Sequence, residues 1–250
     1  MKTNLSYVTA ILAVASVMSL VPSRTHSDQT LTAFRGQGGG AAPISYCISP
    51  AERSLVAARE LRLVVPPGTA QPSFPFFADP MGNGGINAPG QGTINYVDLD
   101  PSGGIGDYAC GSTSYDGHQG NDISIPSFFD MEEGVAILAA APGTVTYSHD
   151  GEYDRNTSWV PGAIGKAIIV THIDGTKAWY WHMRKGSVRK SLGEDVTTGD
   201  TLGMVGSSGR SSDPHLHFEL QDAGGTFYEP YSGGCQQDPS MWVSQPDNVW

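Results

Sequence analysis

The sequence predicts an all-β domain, mainly antiparallel sheet with a groove for a substrate, behind an irregular N-terminal extension that carries one short helix. Three observations point there. Short strand-like runs recur at 121–125, 135–139, 143–148, 165–173, 176–182, 194–196, 201–205 and 214–221. Turn signals punctuate them at Pro142-Gly143, Asp174-Gly175, Gly199-Asp200 and Gly224-Gly225, which suits tight antiparallel connections and not the crossovers of a βαβ fold. From Pro72 to Gly106, by contrast, the chain is dense in Gly and Pro.

Taken in order, the 250 residues suffice for one substantial domain plus an extension. Lys2 followed by the apolar stretch Tyr7 to Val21 reads as a signal peptide over residues 1–27. Cleavage is expected between Ser19 and Ser27, leaving an exported chain with no stable membrane insertion. Residues 28–105 read as linker and extension, beginning with a polar tether that includes Gly36-Gln37-Gly38-Gly39-Gly40. Ser49-Pro50-Ala51-Glu52 is a capping box with proline at the first helical position, so a helix is expected from Pro50 to about Leu63, stopped by Pro66-Pro67-Gly68. A strand is possible at Thr93–Val97. The β-rich domain occupies 106–230, and 231–250 form a tail.

The chemistry begins at Asp213-Pro214-His215-Leu216-His217-Phe218-Glu219-Leu220. On a strand, His215 and His217 share one face while Leu216 and Phe218 take the other. Two adjacent imidazoles in an apolar run are costly unless something needs them, and a metal is the usual reason. A matching set stands at Gly117-His118-Gln119-Gly120-Asn121-Asp122, where His118 and Asp122 fall on one face of an extended segment. Two imidazoles and one carboxylate suit a catalytic zinc that keeps one position open. The HExxH helix motif is absent. His182 ends an aromatic strand, Lys177-Ala178-Trp179-Tyr180-Trp181-His182, that follows the hairpin signal Asp174-Gly175.

In order and spacing, the segments around His118/Asp122, around His182 and from Ser207 to Leu220 resemble the lysostaphin-type, LytM-like zinc endopeptidases over about Tyr115 to Leu220. The resemblance implies the same antiparallel fold, one Zn2+ held by His118, Asp122 and His217, and two unligated catalytic histidines, His182 and His215. It also implies a peptidoglycan peptide as substrate, in the periplasm or outside the cell. His215 is assigned mainly to water activation and His182 mainly to oxyanion stabilisation. Trp181 and Met183 depart from the family pattern, as does Ser212-Asp213-Pro214 before His215; these are expected to alter the groove walls. Loops 150–163, with Tyr153 and Trp159, and 206–213, with Arg210, are expected to wall the groove. His26, His149 and His172 belong to no motif and are read as structural.

A net charge of -11 gives no electrostatic footprint for nucleic acid or anionic membranes. A monomer is expected. Three cysteines in an exported chain suggest one disulfide and one left over. Of the three pairings, Cys110–Cys235 is preferred, because it ties the first metal segment to the tail. Cys47 has one further role open to it, capping the zinc as a latency thiolate, though nothing in Ser45-Tyr46-Cys47-Ile48 demands it. Two competing functions are a non-catalytic wall-binding or amidase-activating module of the same family, and a peptidase of Gly-rich extracellular proteins. Presence of all five site residues favours an enzyme.

Overall fold

Strict alternation along the strands sorts side chains onto the two faces of one large sheet, and the two faces differ in chemistry. The structure, a computed structural model, describes residues 46–63 and 75–246. The expected signal peptide, the tether with its glycine run, His26 and Pro66-Pro67-Gly68 lie outside the described residues.

The strands are β1 (Gly92–Asn95), β2 (Asn121–Ser124), β3 (Ala136–Leu138), β4 (Gly143–His149), β5 (Ala167–Thr171), β6 (Lys177–Trp181), β7 (Asp195–Val196), β8 (Thr201–Met204), β9 (His215–Gln221) and β10 (Phe227–Tyr228). Eight of them form one sheet in the order β1-β2-β9-β6-β5-β4-β7, with β10 also paired to β9. Every pairing is antiparallel. β3 and β8 make a separate two-stranded sheet. The all-β reading therefore holds.

One face of the large sheet carries Ile123, Ile168, Val170, Ala178, Tyr180, Leu216, Phe218 and Leu220, all buried in the main core. The opposite face carries Asp122, Ile169, Trp179, Trp181, His217 and Glu219, the residues alternate with those. A smaller apolar cluster covers part of that second face: Cys47, Ile48 and Val56 from the extension pack on Tyr147, Ala167, Ile169, Trp179 and Trp181.

α1 (Pro50–Arg59) starts where the capping box placed it: the Ser49 hydroxyl accepts from Glu52 N at 3.2 Å, and Glu52 Oε2 accepts from Ser49 N at 2.8 Å. It ends earlier than expected, because Glu60 turns extended (φ -64°, ψ 132°) and Leu61 N donates to Thr146 O on β4 at 2.8 Å. A tertiary hydrogen bond outcompetes the last helical turn. The sequence reading missed α2 (Phe128–Glu133) and β10. α2 is six residues long, capped by Ser127, too short to leave a period. Met183 also departs from expectation. It is fully buried in the main core and so lies away from the groove wall, whereas Trp181 does line the second face.

Cys110 and Cys235 form a disulfide across 125 residues, the preferred pairing, and leave Cys47 as a buried free thiol. His172 is buried and donates from Nδ1 to Pro142 O at 2.7 Å, a structural role.

Candidate metal and catalytic site

The five residues singled out from sequence converge on the polar face of β2, β9 and the end of β6. Register does most of this. Asp122 on β2 sits directly opposite His217 on β9, and Ser124 opposite His215. On the other side of β9, His217 is opposite Trp181, so His182 emerges just beyond the strand end beside it. His182 has φ 65°, a left-handed backbone that is costly for a non-glycine residue and is typically retained where function needs it. His118 arrives from the turn before β2, after Gly117 at φ 78°.

The hydrogen bonds fix which nitrogen faces inward. His118 Nδ1 donates to Tyr96 O at 2.8 Å, a carbonyl that can only accept, so Nε2 presents its lone pair to the site. His217 Nε2 donates to Glu219 Oε2 at 3.2 Å, which leaves Nδ1 as its inward lone pair. His118 Nε2 lies 3.2 Å from His217 Nδ1 and 3.2 Å from Asp122 Oδ1, and His217 Nδ1 lies 3.0 Å from that same oxygen. Donors about 2.0–2.1 Å from a tetrahedral zinc stand about 3.3 Å apart. The observed triangle matches that spacing, and two lone pairs facing each other across it call for a cation. These three residues therefore fit a zinc.

Further groups hold the triangle in shape. Asn95 Nδ2 donates to Asp122 Oδ2 at 3.0 Å. Glu219, fully buried, is gripped by both terminal nitrogens of Arg53 from α1, at 2.9 and 2.7 Å. Burial raises the pKa of Glu219, but Arg53 and the hydrogen bond from His217 outweigh it and pull the carboxyl down to about 2. Burial likewise opposes ionisation of Asp122, yet the adjoining imidazoles of His118, His215 and His217 hold it well below the usual carboxylate range.

His215 and His182 stand beside the triangle with ring centroids 4.5 Å apart. His215 Nδ1 donates to Asp213 O at 2.8 Å, and His182 Nδ1 to Ser208 O at 2.6 Å. Each Nε2 is buried without a hydrogen-bond partner, and that of His215 lies 3.6 Å from Asp122 Oδ1. Burial, and after it the neighbouring His215, lower the pKa of His182. The two loops expected beside the groove are tied together by Asn156 N to Ser207 O, 3.1 Å, and Ser207 N to Asp154 O, 3.0 Å. Arg210 lies 4.7 Å over Trp159, which meets Tyr115, which stacks on His118 at 4.3 Å. Tyr153 is mostly exposed.

Sequence reasoning missed Asn95, Tyr96, Arg53 and Glu219. Glu219 was legible, since it follows His217 by two residues and shares its face; the others join through tertiary contacts. Cys47 is also here. Its Sγ is 2.6 Å from Tyr115 Oη and 3.9 and 4.0 Å from the two Asp122 oxygens. Among the described residues, two groups have mutually close ligand-type atoms, Cys47/His118/Asp122/His217 and Cys47/His182/His215, and both are buried.

Residues 116–230 match the model of Peptidase family M23. DD-carboxypeptidase/endopeptidase Mpg of Neisseria meningitidis is 30% identical over 104 residues, 42% of this chain and 20% of the relative. Glycyl-glycine endopeptidase ALE-1 of Staphylococcus capitis is 28% identical over 125 residues, 50% of this chain and 29% of the relative. The solved catalytic domain of lysostaphin from Staphylococcus simulans aligns with a TM-score of 0.34 and 24% identity, covering 46% of this chain and 77% of that one. The matched stretch is thus a fifth to under a third of these curated relatives. The stretch that matches Peptidase family M23, residues 116–230, is the one that holds His118, Asp122, His182, His215 and His217.

Proposed function

We propose that the protein is an exported zinc metalloendopeptidase that hydrolyses peptide bonds in peptidoglycan stem peptides or cross-bridges. The observation that carries the reading is the triangle of inward-facing His118 Nε2, His217 Nδ1 and Asp122 Oδ1 at 3.0–3.2 Å, within a domain of a peptidase family. When bound, zinc supplies Lewis acidity, lowering the pKa of water to about 7 and polarising the scissile carbonyl. His215 Nε2, unpartnered and 3.6 Å from Asp122, takes the proton from the attacking water. His182 faces the developing oxyanion. Its Nδ1 proton is committed to Ser208 O, so its Nε2 donates only once the ring is protonated, a form that negative charge on the substrate favours. The proton held by the histidine pair then passes to the leaving amine.

Export is supported by the disulfide, a bond that persists in oxidising compartments. Among the described residues no helix is long and apolar enough to cross a membrane. Relatives named for peptidoglycan or glycyl-glycine bonds support the substrate class.

The test is digestion of purified peptidoglycans of different cross-bridge types, with released fragments weighed by mass spectrometry, alongside metal analysis of the purified chain. One zinc per chain and new peptide termini are expected, with both lost in Asp122→Ala. Fragments released equally by Asp122→Ala would overturn the reading.

A further inference from the structure

We propose that Cys47 is a fourth protein ligand of the metal, closing the position that catalysis needs open, and that Tyr46–Glu60 thereby hold the chain as a latent zymogen. This rests on the zinc reading above and deepens it. The thiol is the one free cysteine among three. Its sulfur forms a mutually close group with the ligand-type atoms of His118, Asp122 and His217, and a second with those of His182 and His215. It therefore stands between the metal triangle and the catalytic pair, where the water and the scissile carbonyl must come. Independently of the sulfur, the Nε2 atoms of His182 and His215 are buried beside this same space with no hydrogen-bond partner. Three thiolate, imidazole and carboxylate ligand types with no open position make a structural site; a catalytic one keeps a place for water.

The segment around Cys47 is built to stay. Ile48 and Val56 are about 1% exposed, packed on Tyr147, Ile169, Trp179 and Trp181 across the face that carries the site. Arg53 of α1 grips Glu219, the carboxylate that orients His217. Glu52 caps its own helix with one oxygen and accepts from Gly165 N at 2.8 Å with the other. Gly165 is a position where a Cβ would meet Trp181 Nε1 at 2.0 Å, so the backbone there packs directly on the Trp181 ring. With this segment in place His118, Asp122, His182, His215 and His217 are all buried, and a peptide substrate has no path to them. All of these anchors come from outside the family domain of 116–230, as a removable inhibitor requires.

The full chain, stripped of metal by chelation and reloaded with Co2+, gives a readout independent of activity. Expected for wild type are ligand-field bands together with sulfur-to-cobalt charge transfer in the near-ultraviolet; Cys47→Ser keeps the first and loses the second. Ligand-field bands without charge transfer in wild type overturn the thiolate ligand and leave the peptidase reading standing. Absence of any cobalt band in wild type overturns both. Val56→Asp, which places a charge in the aromatic groove without touching a ligand, is expected to lose the charge transfer and expose the thiol to a disulfide reagent. It should also release peptidoglycan fragments at least about tenfold faster than wild type, since the open state is a minor population of the intact chain. Rates equal to wild type in both Val56→Asp and Cys47→Ser overturn latency.

Discussion

At the residue scale, the site depends on side chains whose outer atoms are committed elsewhere. Glu219 is the clearest case. It fixes the His217 tautomer and is itself fixed by Arg53, so Glu219→Gln should weaken metal binding about 10- to 100-fold, read by competition with a chromophoric chelator. The same carboxyl has a pH signature. Its folded pKa of about 2 lies below its unfolded value, so its stabilisation is fully present above about pH 4.5 and fades as pH falls toward 2, to an upper bound of roughly 3 kcal/mol. Urea unfolding at pH 6 and pH 3 should show a steeper loss in wild type than in Glu219→Gln; parallel losses would count against the pairing. Gly120 matters for the opposite reason, the lack of a side chain: a Cβ there would meet Phe218 O at 2.7 Å and His217 Cε1 at 2.8 Å. Gly120→Ala should displace His217 and lower metal affinity in the same titration.

At the element scale, β2, β6 and β9 are positioning devices, and their roles were largely readable in advance. His215 and His217 share a face because the period of a strand is two, and antiparallel register then sets Asp122 opposite His217. Alternation in Ile123-Ser124 and in Leu216-Phe218-Leu220 carried that information. What alternation does not encode is partnership between distant elements. Asn95 reaches Asp122 and Tyr96 O holds His118 through a strand that the sequence marks only weakly. α1 was legible from its capping box, but where it docks was not, since ten residues with so few apolar positions do not name the surface they cover. Ser49→Ala should cost this helix about 1 kcal/mol. Where docking of α1 guards the thiol, Cys47 should then react roughly fivefold faster with a disulfide reagent; an unchanged rate would mean the helix is not what protects it.

At the scale of the whole molecule, one sheet serves two purposes: an apolar face makes the core, and its reverse makes the site. The disulfide joins the turn before the His118/Asp122 segment to the region after β10, across 125 residues. Replacing both Cys110 and Cys235 with serine should cost about 2–5 kcal/mol in denaturant unfolding, without changing metal stoichiometry. The acidic balance of the chain adds no attraction for an anionic wall, so the proposed function requires recognition by a groove at the site. The central claim is that His118, Asp122 and His217 hold a zinc that makes this groove hydrolytic. The most direct measurement is mass spectrometry of fragments released from peptidoglycan by the groove-opened Val56→Asp protein, compared with the same protein after chelation, after zinc is restored, and with His118→Ala added. Cleavage that disappears on chelation, returns with zinc and is absent in the His118→Ala protein is the predicted result; cleavage that persists in the chelated protein or in His118→Ala would contradict it.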